Sequence, residues 1–203
     1  ADVVKMVHPK PTEAWRAAWF AWLIGKPFDA AALPPITLAF ERYKLDAAKG
    51  VVSAELPDVP FQMLTALQLS SAQWAQIARQ GSWQMVRQNL NTFARHGVFD
   101  QPGMTKVIAK ILADAKAVAK AKVMPYQLLA AYTASTGQVP ALVSEALQEA
   151  LEHSLANVPR FDGQVVVCPD VSGSMSSIVT GQRGSASSKV RCIDVAALVA
   201  AAV

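Results

Sequence analysis

Three oxygen-bearing side chains at alternate positions, Asp170, Ser172 and Ser174, offer the clearest chemistry in this chain. A carboxylate and two hydroxyls on one short loop are hard donors. Magnesium takes such donors in octahedral geometry and retains several waters. The spacing predicts that Ser172 and Ser174 ligate a divalent cation directly through their hydroxyls. Asp170 would do so directly or through a water. A Ser/Gly-rich turn without a metal is the competing reading of the same residues, and the pattern alone leaves both open.

An element must hold the loop. Val165, Val166, Val167 and Cys168 form an apolar run between the turn signal Asp162-Gly163 and the loop. A short β-branched run of this kind predicts a buried, parallel strand. The loop would then lie at the strand's carboxyl end, the edge at which open α/β sheets bind ligands. Cys168 would face the core rather than the metal. The apolar residues 195–203 predict a buried helix behind the loop, too short for a membrane span. Between loop and helix, residues 176–189 are rich in Ser, Gly and Thr and predict a flexible excursion at the metal edge.

Hydrolytic chemistry is not supported. A serine nucleophile needs a positioned base, and no histidine follows Ser172 or Ser174. His8, His96 and His153 all fall on helices or helix ends elsewhere, so no enzyme is expected.

The preceding part predicts helix after helix, punctuated by Pro and Gly. Thr12 is a candidate cap for a helix carrying Trp15, Ala18, Trp19, Trp22 and Leu23 at core spacing. Leu33-Pro34-Pro35 opens the next helix, with Pro at the first helical position, and residues 51–60 predict a loop. Two short helices follow over 61–69 and 71–80, closed by Gly81. Residues 83–96 predict one helix, with Trp83, Val86, Leu90 and Phe93 on one side and Arg87, Asn91 and Arg95 beside them. Residues 102–123 predict a long alanine-rich helix. If that helix is continuous, Lys106, Lys110, Lys116 and Lys120 share its polar side. Helices over 126–135 and 141–156 complete the series. Helices of such length with short links resemble an α-solenoid, although no fixed sequence period is present.

Composition agrees with a packed protein. Of 203 residues 52% are hydrophobic, and 19 basic against 15 acidic residues give a net charge of +4. That mild basicity permits an anionic partner without requiring one. Two cysteines, Cys168 and Cys192, make no disulfide framework, and a reducing cytoplasm is the simpler expectation. The chain lacks an initiator Met and stops within an apolar run, which suggests an internal piece of a longer protein.

Several stretches, in order, resemble the Ro ribonucleoprotein autoantigen family, in its bacterial type. They are Val4-Lys5-Met6-Val7-His8-Pro9-Lys10-Pro11, then Asn89-Leu90-Asn91-Thr92-Phe93-Ala94-Arg95-His96-Gly97-Val98-Phe99, then Met124-Pro125-Tyr126-Gln127-Leu128-Leu129-Ala130-Ala131-Tyr132. The last, Val-Cys-Pro-Asp-Val-Ser-Gly-Ser-Met ending at Met175, is similar to the first strand and metal-ion-dependent adhesion site of a von Willebrand factor A domain. The resemblance implies a mainly α fold. A HEAT-like helical-repeat array, part of a TROVE module, would span residues 1–158. The first strand and helix of an α/β von Willebrand factor A domain would span 159–203.

The resemblance further implies a noncatalytic scaffold for small noncoding RNA, of the Y type or with single-stranded ends of misfolded RNA, in RNA quality control. Candidate RNA contacts are His8, Lys10, Arg87, Arg95, His96, Lys106, Lys110, Lys116 and Lys120. The bland alternatives are a loop anchored by Pro9 and Pro11 for the first two and solvated helix surface for the others. Magnesium is the expected cofactor, at Asp170, Ser172 and Ser174. The implied metal site normally also draws a Thr and an Asp from later loops, which this chain does not include. An RNA-processing nuclease is a further candidate partner, and neither a membrane nor DNA is expected. The alternative function is a protein-interaction adaptor that uses the metal loop and the helices as docking surfaces.

Overall fold

A computed structural model describes residues 1–49, 56–179 and 189–202. Among these, the chain is mainly helical, with twelve α-helices and no named strand. It divides into two compact units, Ala1–Leu69 and Ser70–Val203. Parts of the expected loop over 51–60 and of the excursion over 176–189 lie outside the described residues.

The first unit contains α1 (Asp2–Val7), α2 (Ala14–Leu23), α3 (Pro35–Ala48) and α4 (Phe61–Leu64). Pro35 occupies the first turn of α3, as expected. Its small core includes Ala18, Leu33, Phe40, Tyr43 and Leu64. Thr12 does not cap α2: Glu13 takes that position, without a side-chain cap bond. Trp15 is 42% exposed and not a core residue, because it sits in the first turn of α2 beside Arg16, whose guanidinium lies over its ring. Trp22 instead donates to Glu41 at 2.8 Å, and Lys44 reaches the same oxygen at 2.9 Å. Burial pushes the Glu41 carboxyl upward, but the bonds from Lys44 and Trp22 outweigh it and the net shift is downward.

The second unit contains α5 (Ser71–Gln80), α6 (Trp83–Gln88), α7 (Leu90–Arg95), α8 (Met104–Leu112), α9 (Ala115–Ala121), α10 (Pro125–Ser135), α11 (Ala141–Ser154) and α12 (Cys192–Ala202). A reciprocal cap starts α5. Ser70 Oγ accepts from the Gln73 N–H, and Gln73 Oε1 accepts from the Ser70 N–H. Helix α11 lies against α8, α9 and α10, and buries Val143, Leu147 and Ala150 among Ile108, Leu112, Val118 and Leu128.

Two expected helices are each broken in two. Asn89 leaves the helical region at φ −112°, ψ 15°, and its Nδ2 donates to the Met85 carbonyl at 2.8 Å, which separates α6 from α7. Asp114 separates α8 from α9. Its Oδ1 accepts from the N–H groups of Lys116 and Ala117, as an N-cap does. The four-lysine stripe is therefore two pairs on two helices.

The strand expected over 165–168 is not formed. These residues are irregular and exposed, Val166 to 85%. Cys168, expected in the core, is an exposed free thiol. A strand exists only through a partner that takes its backbone hydrogen bonds, and none is present among the described residues. The helix expected behind the loop is formed, as α12, but it is not the buried helix expected: none of its described residues is buried.

Gly97 closes α7 at φ +65°, and an added Cβ would lie 3.2 Å from both Asp100 Oδ2 and Ser71 Oγ. Gly97→Ala is expected to lower stability by about 1–2 kcal/mol, the cost of a left-handed L-residue. An unchanged thermal midpoint would count against that account of the turn.

Candidate functional site

The three residues expected to hold a metal converge. The Ser172 backbone N–H donates to Asp170 Oδ1 at 2.8 Å, and the hydroxyls of Ser172 and Ser174 lie 2.9 Å apart. Bonds from the backbone and then the side chain of Ser172 hold the Asp170 carboxyl below its usual range. All three residues are exposed. A 3-10 turn, Gly173–Ser176, follows Ser172 and packs against α12. Two backbone hydrogen bonds fix the loop's exit to the start of that helix, Cys192 N–H to Ser177 O at 2.9 Å and Val179 N–H to Val190 O at 3.0 Å, and together they make the antiparallel bridge of Ile178 with Arg191. Asp194 secures the helix start by accepting from the Arg191 N–H at 2.8 Å and pairing with its guanidinium at 2.9 Å.

This donor set fits a small divalent cation. Octahedral magnesium, with oxygens at about 2.0–2.1 Å, holds neighbouring ligands roughly 2.9 Å apart. The two serine hydroxyls already have that separation, which is also an ordinary O–H···O distance. No cluster of three His, Cys, Asp or Glu side chains occurs among the described residues. The candidate centre thus rests on one carboxylate and two hydroxyls, with the remaining positions left to water or other ligands.

The basic candidates fall in several places. His8 and Lys10 belong to the first unit and are exposed. His8 ends α1 at φ 47°, and its Nδ1 lies 3.2 Å from the Met6 carbonyl oxygen. The other seven belong to the second unit. Lys106 and Lys110 are exposed on α8, each two positions from buried Ile108. Lys116 and Lys120 flank buried Val118 in the same way on α9. Among the described residues none of the four lysines makes an ion pair.

His96 stacks flat on the buried Trp74, with ring centroids 4.3 Å apart and an interplanar angle of 16°. Its role in packing was not visible in the sequence. Arg95 is exposed and its Nη2 reaches Thr92 Oγ1 at 3.3 Å. Arg87 differs from both: it is half-buried, and its Nη1 donates to the Gln127 carbonyl at 3.0 Å. Burial pushes its guanidinium below the ordinary value, and Tyr126 offsets part of that. Asn91, one turn on, donates to the Ala134 carbonyl at 2.9 Å. These two residues tie α6 and α7 to α10.

No protein-family model, curated protein or solved structure matches this chain. No helix among the described residues is long and apolar enough to cross a membrane.

Proposed function

We propose that this chain is part of a noncatalytic, RNA-binding scaffold of the kind that its ordered segments resemble, a TROVE-like helical-repeat array followed by the start of a von Willebrand factor A domain. Its ligand is small noncoding RNA, Y-type or with single-stranded ends, handled in the cytoplasm, with an RNA-processing nuclease as a candidate partner. The observation that carries this reading is the set of exposed lysines on α8 and α9 that pair with no carboxylate among the described residues. A face built only for solubility usually mixes both signs of charge. Phosphate contacts release counterions, so affinity for single-stranded RNA should fall steeply with salt. Filter binding from 50 mM to 200 mM salt tests this, and equal affinity across that range would refute it.

The second reading, a metal-dependent protein-interaction adaptor, draws on the exposure of Asp170, Ser172 and Ser174. A cation held there would offer open positions to a partner's carboxylate. Asp170, Ser172 and Ser174 are the residues that would hold magnesium, and the ion would supply a Lewis-acidic docking point. The double variant Asp170→Ala, Ser172→Ala is expected to lose magnesium and manganese binding in calorimetry and to retain RNA affinity. Equal metal binding by both proteins would leave the loop a plain turn. Loss of RNA affinity together with the metal would mean that the loop contributes to the RNA site. RNA that co-purifies with the protein and is removed by nuclease separates the scaffold from the adaptor.

A further inference from the structure

His96 turns one aromatic face to a buried partner and stays exposed itself. Its ring lies on that of Trp74, with centroids 4.3 Å apart and planes 16° from parallel. Trp74 is only 3% exposed, and the ring of fully buried Phe93 meets it edge-on at 6.5 Å. The support under the imidazole is therefore part of the core. With one face against Trp74, what the His96 side chain shows to solvent is the opposite face and the ring edge. Among the described residues no carboxylate pairs with it.

A flat ring held from below and exposed above is a stacking platform. Single-stranded nucleic acids use such platforms through their bases, and histidine is among the rings that serve. Because the ring is already ordered by Trp74, stacking on it costs little side-chain entropy. The surroundings favour a base over a phosphate. Gly97 follows His96, and Asp100 Oδ2 lies close over it, 3.2 Å from where a Cβ would stand. A carboxylate there repels phosphate but accepts a hydrogen bond from the exocyclic amino group of a base. Arg95, the residue before, is exposed and bonds only Thr92 Oγ1, at 3.3 Å, which leaves its charge for a flanking phosphate. We propose that a base of single-stranded RNA stacks on the outer face of His96, so that His96 contacts a base and not the backbone. This deepens the RNA reading above and rests on it. A free nucleotide is not the ligand, because a single stack alone gives an affinity weaker than about 1 mM.

Fluorescence anisotropy of a short labelled single-stranded RNA, titrated with the full chain across a salt series, tests the platform. His96→Leu keeps Trp74 covered but removes the aromatic face, and should weaken binding by roughly five- to 150-fold. The slope of log affinity against log salt should not change, since no phosphate contact is lost. His96→Phe should restore the affinity, because a neutral ring stacks as well. An oligonucleotide of the same length with abasic ribose throughout keeps the phosphates, and the unaltered protein and His96→Leu should bind it equally. His96→Gln, polar and not aromatic, replaces His96→Leu if circular dichroism shows that variant to be unfolded. Undiminished affinity of the non-aromatic variant for base-bearing RNA would refute the platform and leave the scaffold standing. A flatter salt slope without rescue in His96→Phe would make His96 a phosphate contact and overturn the proposal. A chain that binds no base-bearing RNA refutes the scaffold and the platform together.

Discussion

Phe93→Ala is expected to destabilise the second unit by about 3–5 kcal/mol, the usual cost of deleting a buried aromatic ring. Phe93 is the largest of the fully buried side chains, with no exposed surface. Its ring meets Trp74 edge-on, with centroids 6.5 Å apart and planes at 65°. Helix α7 has only six residues, of which Leu90 and Phe93 are buried. A helix of that length does not persist on its own propensity, so those two side chains hold it in place. Its loss would also release Asn91 from the Ala134 carbonyl. Small domains are stable by only about 5–15 kcal/mol, so the variant should sit near the unfolding threshold. Urea denaturation should show a lower midpoint with an unchanged slope. A loss below about 1 kcal/mol would mean that α7 is held by something other than this ring.

The sequence made the helices legible where local signals and burial agree. Helix α5 ends at Gly81 as expected, and α11 begins immediately after Pro140. Trp83, Val86, Leu90 and Phe93 were expected on one side, and all four are buried. The breaks within 83–96 and 102–123 were missed because periodicity continues through them. Asn89 and Asp114 divert their side chains to nearby backbone groups, which competes with the helix at a single residue. A stretch dominated by alanine masks that competition when propensity is summed over a window. Asp114 three residues before Ala117 was the available signal.

The strand was misjudged for a different reason. Val165, Val166, Val167 and Cys168 have the composition of a buried strand, yet strand formation depends on partners that lie elsewhere in the chain. The turn at Asp170, Ser172 and Ser174 was more legible, because the contacts among these residues span only two residues at a time. The tie from Arg87 was not legible, because it depends on the Gln127 carbonyl, 40 residues away in sequence. The stack of His96 on Trp74 was not legible either, since no pattern of residue types pairs those two rings.

Charge reversal at Lys106, Lys110, Lys116 and Lys120 is expected to weaken RNA binding by roughly 10²–10³-fold at 0.1 M salt. That figure follows from about 0.7 counterions released per single-strand phosphate contact, for four contacts, relative to 1 M salt. Folding should be nearly unaffected, since all four are exposed and unpaired among the described residues, and such substitutions usually cost within about 0.5 kcal/mol each. The break at Asp114 sharpens this experiment. Lys106→Glu, Lys110→Glu changes α8 alone, and Lys116→Glu, Lys120→Glu changes α9 alone. If one RNA strand crosses both helices, each pair should flatten the slope of log affinity against log salt by about half of the full effect. If only one helix touches RNA, one pair should reproduce the whole loss and the other should match the unaltered protein. A slope that no variant changes would assign both pairs to solvent and remove the observation on which the RNA reading rests.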